Sequence, residues 1–100
     1  MSDARSTNGF GRPLTRMQRQ VVRLCALGCT VREIALILDL SPSTIDNHKA
    51  RAMAKAQVTN LAMLTRFAIQ EGISPIGDAL TAEERAKLEG ALGPKVAPND

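Results

Sequence analysis

Residues 30–56 read TVREIALILDLSPSTIDNHKARAMAKA, and this stretch decides the fold. Thr30 and Glu33 stand in the T-x-x-E order of a capping box, in which each side chain bonds the other residue's backbone N–H and so opens a helix. Val31, Ile34, Ala35 and Leu38 follow at i, i+3, i+4 and i+7, which makes one apolar stripe about two turns long, and Asp39 closes it. Ser41-Pro42 then opens another helix. Ser is a strong N-cap, and Pro fits the first helical position because its missing N–H has no intrahelical partner to lose there. Only residues 39–41 separate the two helices. So short a link forces a sharp angle between them, the geometry of a helix-turn-helix, here at 31–50.

The flanks continue in the same class. Upstream, Thr15 is a fitting N-cap, and Leu14, Met17, Val21, Leu24 and Cys25 form one helical stripe that Gly28 ends. Arg16, Arg19 and Arg23 lie off that stripe. Downstream, the helix from Pro42 runs to 56, and Thr59 or Asn60 caps a fourth helix at 61–71, stopped by Gly72. Ser74-Pro75-Ile76-Gly77 is a turn-rich linker, and Thr81 with Glu84 forms another capping box, opening a short helix at 82–89. Gly90, Gly93, Pro94 and Pro98 oppose further regular structure, and the few apolar residues of this last helix predict loose docking. The polar, Gly-containing stretch 1–13 predicts a flexible arm. The fold class is therefore all-α. Its core must be aliphatic, because the 100 residues include no Trp or Tyr and only two Phe.

Charge points to a polyanion partner. Residues 14–72 hold eight Lys/Arg against four acids, net +4, whereas residues 73–100 hold three against five, net −2. No run approaches the roughly 20 apolar residues that span a bilayer, and 1–13 lacks the apolar stretch of a secretory signal, so a cytoplasmic protein without a membrane partner is expected. Cys25 and Cys29 stand four apart with His48 the only histidine. That falls short of the roughly four ligands a metal site needs, so they read as small apolar residues rather than a redox pair, and no metal or cofactor is expected.

At about 100° per residue, the helix from Pro42 has two sides. Ile45, Ala52, Ala56 and Met53 form the core side, with Lys49 at its edge. The other side carries Ser43, Thr44, Asn47, His48, Ala50, Arg51, Ala54 and Lys55. Two alanines allow close approach to a groove about 12 Å wide. Asn47 can pair with adenine, Arg51 with guanine or a phosphate, and the helix N-terminus favours a phosphate. No paired acid and base, phosphate loop or nucleophile–base set is present, so an enzyme is not expected.

Residues 14–73 resemble the LuxR-type DNA-binding domain, found as the effector domain of response regulators and quorum sensors and in small stand-alone regulators. The shared features are Leu14-Thr15, the apolar pattern through Leu27, Gly28, and Glu33-Ile34-Ala35; then come Leu40-Ser41, Thr44-Ile45, Asn47-His48, Val58 and the closing Glu71-Gly72-Ile73. The resemblance implies a four-helix helix-turn-helix domain at 14–73, here with a short extra C-terminal helix inside 74–100, a segment otherwise expected to be linker and flexible tail. It implies DNA contacts at the positions of Thr30, Ser43, Thr44, Asn47, His48 and Arg51, to which the reading of the helix face adds Lys55. It also implies a homodimer through the fourth helix. There an apolar arc of about 160° is wider than the stripe a surface helix usually needs; either all of it packs into one core or under the C-terminal segment, or, the favoured reading, Leu61 and Ala68 face the core while Met63, Leu64 and Phe67 meet a second copy.

Three departures stand out. Ser43 and Asp46 occupy positions where the family often has lysine, which predicts a weaker grip on phosphate, and Gln57 replaces the usual helix-ending glycine. The function expected is sequence-specific regulation of transcription on double-stranded DNA, each subunit of the dimer reading one half-site. The protein would be nucleoid-associated when bound, with RNA polymerase as a further candidate partner. Met1 favours a complete small regulator over an excised effector domain. The rivals are a sigma region 4-like DNA-binding domain and a helical protein-interaction module that has lost strong DNA binding.

Overall fold

Each of the first four helices begins at a side-chain cap and ends at a left-handed residue or a glycine. The computed structural model describes residues 13–92. They form α1 (Arg16–Ala26), α2 (Val31–Leu38), α3 (Pro42–Ala56), α4 (Leu61–Gln70) and α5 (Ala82–Leu92), with no strand among them. The arm expected at 1–13 lies outside the described residues except for Pro13, as does the tail beyond 92.

Thr15 caps α1 and also makes a reciprocal box with Gln18, which the sequence reading had not paired. Thr30 and Glu33 make the expected box on α2, with bonds of 2.8 and 3.1 Å. Ser41 caps α3 with Pro42 at its first turn, and Asn60 caps α4. Gly28 and Gly72 close α1 and α4 at φ +94° and +74°, where glycine is favoured because it has no Cβ to clash. Asp39 and Gln57 do the same work at φ 60° and 59° with side chains present. The amides of Asp39 and Leu40 both reach the Ala35 carbonyl, and those of Gln57 and Val58 both reach that of Met53.

α1 is the hub and packs against α2, α3 and α4. Its Val21, Val22 and Leu24 meet Ile34 and Ile37 of α2, Ile45 and Ala52 of α3, Leu64 and Ala68 of α4, and Ile73. Val22 is fully buried although it lies beside the expected stripe, because α1 is covered on more than one side. Cys25 is buried and Cys29 half-buried, and neither forms a disulfide; burial pushes both thiols up.

The C-terminal segment departs from expectation twice. α5 runs through Gly90 to Leu92 instead of ending at 89, and it is docked. Leu80 and Leu88 pack against the core. Arg23, on α1, gathers the segment: Nε donates to Asp78 at 2.8 Å, Nη1 to Glu84 at 2.7 Å and Nη2 to the Ala79 carbonyl at 2.9 Å. At the other edge Lys87 Nζ donates to the Ile37 carbonyl at 3.1 Å. Polar contacts thus add to the packing of Leu80 and Leu88 in docking the segment.

Candidate nucleic-acid interface

Pro42 at the first turn leaves the N-terminus of α3 with three hydroxyls around it. Ser41 Oγ accepts the Thr44 amide and shares hydrogen bonds with the Thr44 hydroxyl at 2.9 Å and the Ser43 hydroxyl at 3.3 Å. Ser43 is exposed and Thr44 half-buried. The unpaired amides of a helix N-terminus carry partial positive charge, so this end suits an anion.

Further along α3, Asn47, Ala50, Arg51 and Ala54 are exposed, and His48 is half-buried beside them. Neither Asn47 nor Arg51 has an ion-pair or side-chain hydrogen-bond partner among the described residues, so their polar groups are available to a ligand. The opposite side of the same helix is fixed by Ile45 and Ala52, both fully buried. Thr30 is exposed at the start of α2, and its hydroxyl oxygen already accepts the Glu33 amide, which leaves the hydroxyl proton for an outside acceptor.

Two of the expected site residues sit elsewhere. Lys55 turns back toward α1, where its ammonium donates to Gln18 Oε1 at 2.9 Å and to the Pro13 carbonyl at 3.2 Å. Gln18 is buried and caps Thr15 with the same oxygen, so Lys55 supports the start of α1 instead of lying on the open face. Leu64 is fully buried in the core and Leu61 is 49% exposed, the reverse of what is expected of these two leucines, while Ala68 lies in the core as expected. Leu61 is the first residue of its helix, whereas Leu64 and Ala68, four residues apart one turn further in, lie in the core cluster. Met63 is exposed and Phe67 half-buried against the core. Asp46 is exposed and forms no ion pair among the described residues.

The residues the sequence did not reveal are Arg23 and Lys87. The one visible signal was the Thr81–Glu84 box, whose bonds of 2.8 and 3.0 Å are present. Nothing local shows that Glu84 also serves Arg23, 61 residues earlier.

A family model described as bacterial regulatory proteins, luxR family, matches residues 12–68. The transcriptional regulatory protein FixJ of Rhizobium meliloti (strain 1021) is 33% identical over 75 residues, which cover 75% of this chain and 37% of that protein. The transcriptional regulatory protein UhpA of Escherichia coli (strain K12) is 46% identical over 54 residues, which cover 54% of this chain and 28% of that protein. The chain thus spans about a third of the length of these relatives. No solved structure matches it. Among the described residues, no helix is long and apolar enough to cross a membrane.

Proposed function

The chain belongs to the luxR family of bacterial regulatory proteins, and from that premise we propose that it is a DNA-binding regulator of transcription whose α3 enters the major groove. The observation that carries this reading is the outer face of α3. Small Ala50 and Ala54 sit beside Asn47 and Arg51, which have no partner among the described residues. A three-residue turn joins α3 to α2, and the opposite side of α3, at Ile45 and Ala52, is buried. Ser43, Thr44 and the amides behind them would take a phosphate or a base edge, as would Thr30 at the start of α2. Asn47 would read adenine, and Arg51 guanine or a phosphate, with His48 at the edge of the contact.

A second copy would bind through the exposed side of α4 at Met63, with the edge of Phe67 beside it. Two half-sites about one helical turn apart would then meet two copies of α3. The test is selection of bound duplexes from random DNA, followed by affinity measurements over a range of salt. Enrichment of paired half-sites and an affinity that falls steeply with salt are expected. No binding even at low salt would overturn the reading and favour a protein-interaction module.

A further inference from the structure

We propose that Lys87, on a helix outside the segment that matches the family model, is a positioning residue for the recognition helix. This rests on the DNA-binding reading of α3.

The turn between α2 and α3 fixes where α3 points. Its pivot is Asp39, whose backbone adopts the left-handed region at φ 60°, a conformation that side-chain-bearing residues rarely take. The last carbonyls of α2 have no partners within the helix. The amides of Asp39 and Leu40 both go to the Ala35 carbonyl. The Ile37 carbonyl receives a bond from Lys87 Nζ at 3.1 Å, and the same ammonium stands 3.7 Å from Asp39 Oδ2. A cation at a helix C-terminus also opposes the negative end of the helix dipole. The ion pair with Asp39 is largely solvated and adds little by itself. The carbonyl bond is the geometric tie, because it holds the last turn of α2 from outside.

Lys87 can make this tie only because α5 is held in place. α5 has little apolar face of its own, and the Arg23 bonds to Asp78, Ala79 and Glu84 fix the segment that leads into it. The backbone of α5 lies against α2, and the Lys87 bond ends on α2. The contacts of Lys87 end on α2 and Asp39, so its influence on DNA binding is proposed to pass through α2 and the turn.

The test compares the parent chain with Lys87→Met, which keeps most of the stem and removes the charge, and with Lys87→Arg, which keeps a donor. Dissociation constants are measured over a salt series for a duplex obtained by selection and for a random-sequence duplex, and amide exchange is followed at Asp39 and Leu40. Lys87→Met is expected to weaken the selected duplex about fivefold, with a smaller change for random DNA. Exchange at Leu40 should rise by a similar factor, the slope of log affinity on log salt should not change, and Lys87→Arg should restore most of both effects.

A direct phosphate contact would behave differently. Its loss would weaken both duplexes alike and lower the salt slope by about 0.9, and that result would overturn the proposal. Unchanged affinity with unchanged exchange would overturn it as well. If the parent bound no duplex, the DNA reading would fall, while the exchange comparison would still decide whether Lys87 holds the turn.

Discussion

Asn47 and Arg51 are exposed, point away from the core side of α3 and have no internal partner among the described residues, so their loss should leave the fold alone. A bidentate base contact discriminates by about 1–3 kcal/mol. Asn47→Ala and Arg51→Ala should each weaken a selected duplex by that amount in an anisotropy titration, with melting temperatures near that of the parent. Binding equal to the parent's in both variants would remove α3 from the interface. Gln57 offers a prediction of the opposite sign. It holds φ 59° at the end of α3, where a Cβ is strained and glycine is not. Gln57→Gly should raise the unfolding free energy in urea by about 0.5–1 kcal/mol, the relief of strain being partly offset by the greater freedom of glycine in the unfolded chain. The same residue shows how closely local chemistry was legible: the missing glycine was visible in the sequence, and the left-handed cap formed regardless because the Val58 amide still reaches the Met53 carbonyl.

At the scale of elements, α1 to α4 were readable because their caps and apolar stripes act within one or two turns. Thr30 with Glu33, and Ser41 with Pro42, fall where they were expected. The faces of α4 were not readable, since Leu61 and Leu64 are chemically alike and only the position of the hub decides which is buried. The docking of α5 was hidden for a similar reason, because Arg23 meets Asp78 and Glu84 across 55 and 61 residues. That cluster carries a pH dependence whose sign can be worked out. The Arg23 guanidinium holds the Asp78 carboxyl below its ordinary value, against the effect of burial. Burial alone would raise the Glu84 carboxyl, but the Thr81 amide and Arg23 outweigh it and bring it down. A carboxyl lowered in the folded state adds stability above its unfolded pKa, near 4, and that stability is lost as pH falls through the folded value. Protection of the amides in α5 should therefore fall between about pH 5 and pH 3 in hydrogen exchange. Arg23→Met should lower that protection at pH 7 by about 1–2 kcal/mol and flatten its pH dependence. Full protection of α5 in the variant would show that Leu80 and Leu88 hold the segment alone.

Over the whole molecule, two of the cations counted in the sequence are held by internal partners. Arg23 is taken up by two acids of the C-terminal segment and Lys55 by Gln18 and Pro13, while Ser43 and Asp46 add no cation to α3. On the reading proposed above, two copies on adjoining half-sites would add to the affinity of one, since linking two weak contacts multiplies their effect without new chemistry. Met63 is the residue to change, because it is 44% exposed on α4 and its side chain is approached by the Thr59 hydroxyl, 4.0 Å from its sulfur. Leu64→Asp would unfold the core and say nothing about assembly. Met63→Asp should leave the melting temperature near that of the parent, weaken binding to a paired half-site duplex by about tenfold or more, and leave binding to a single half-site unchanged. Sedimentation on the paired duplex should then show one copy where the parent shows two. Equal mass and equal affinity for parent and variant would move the interface off this side of α4.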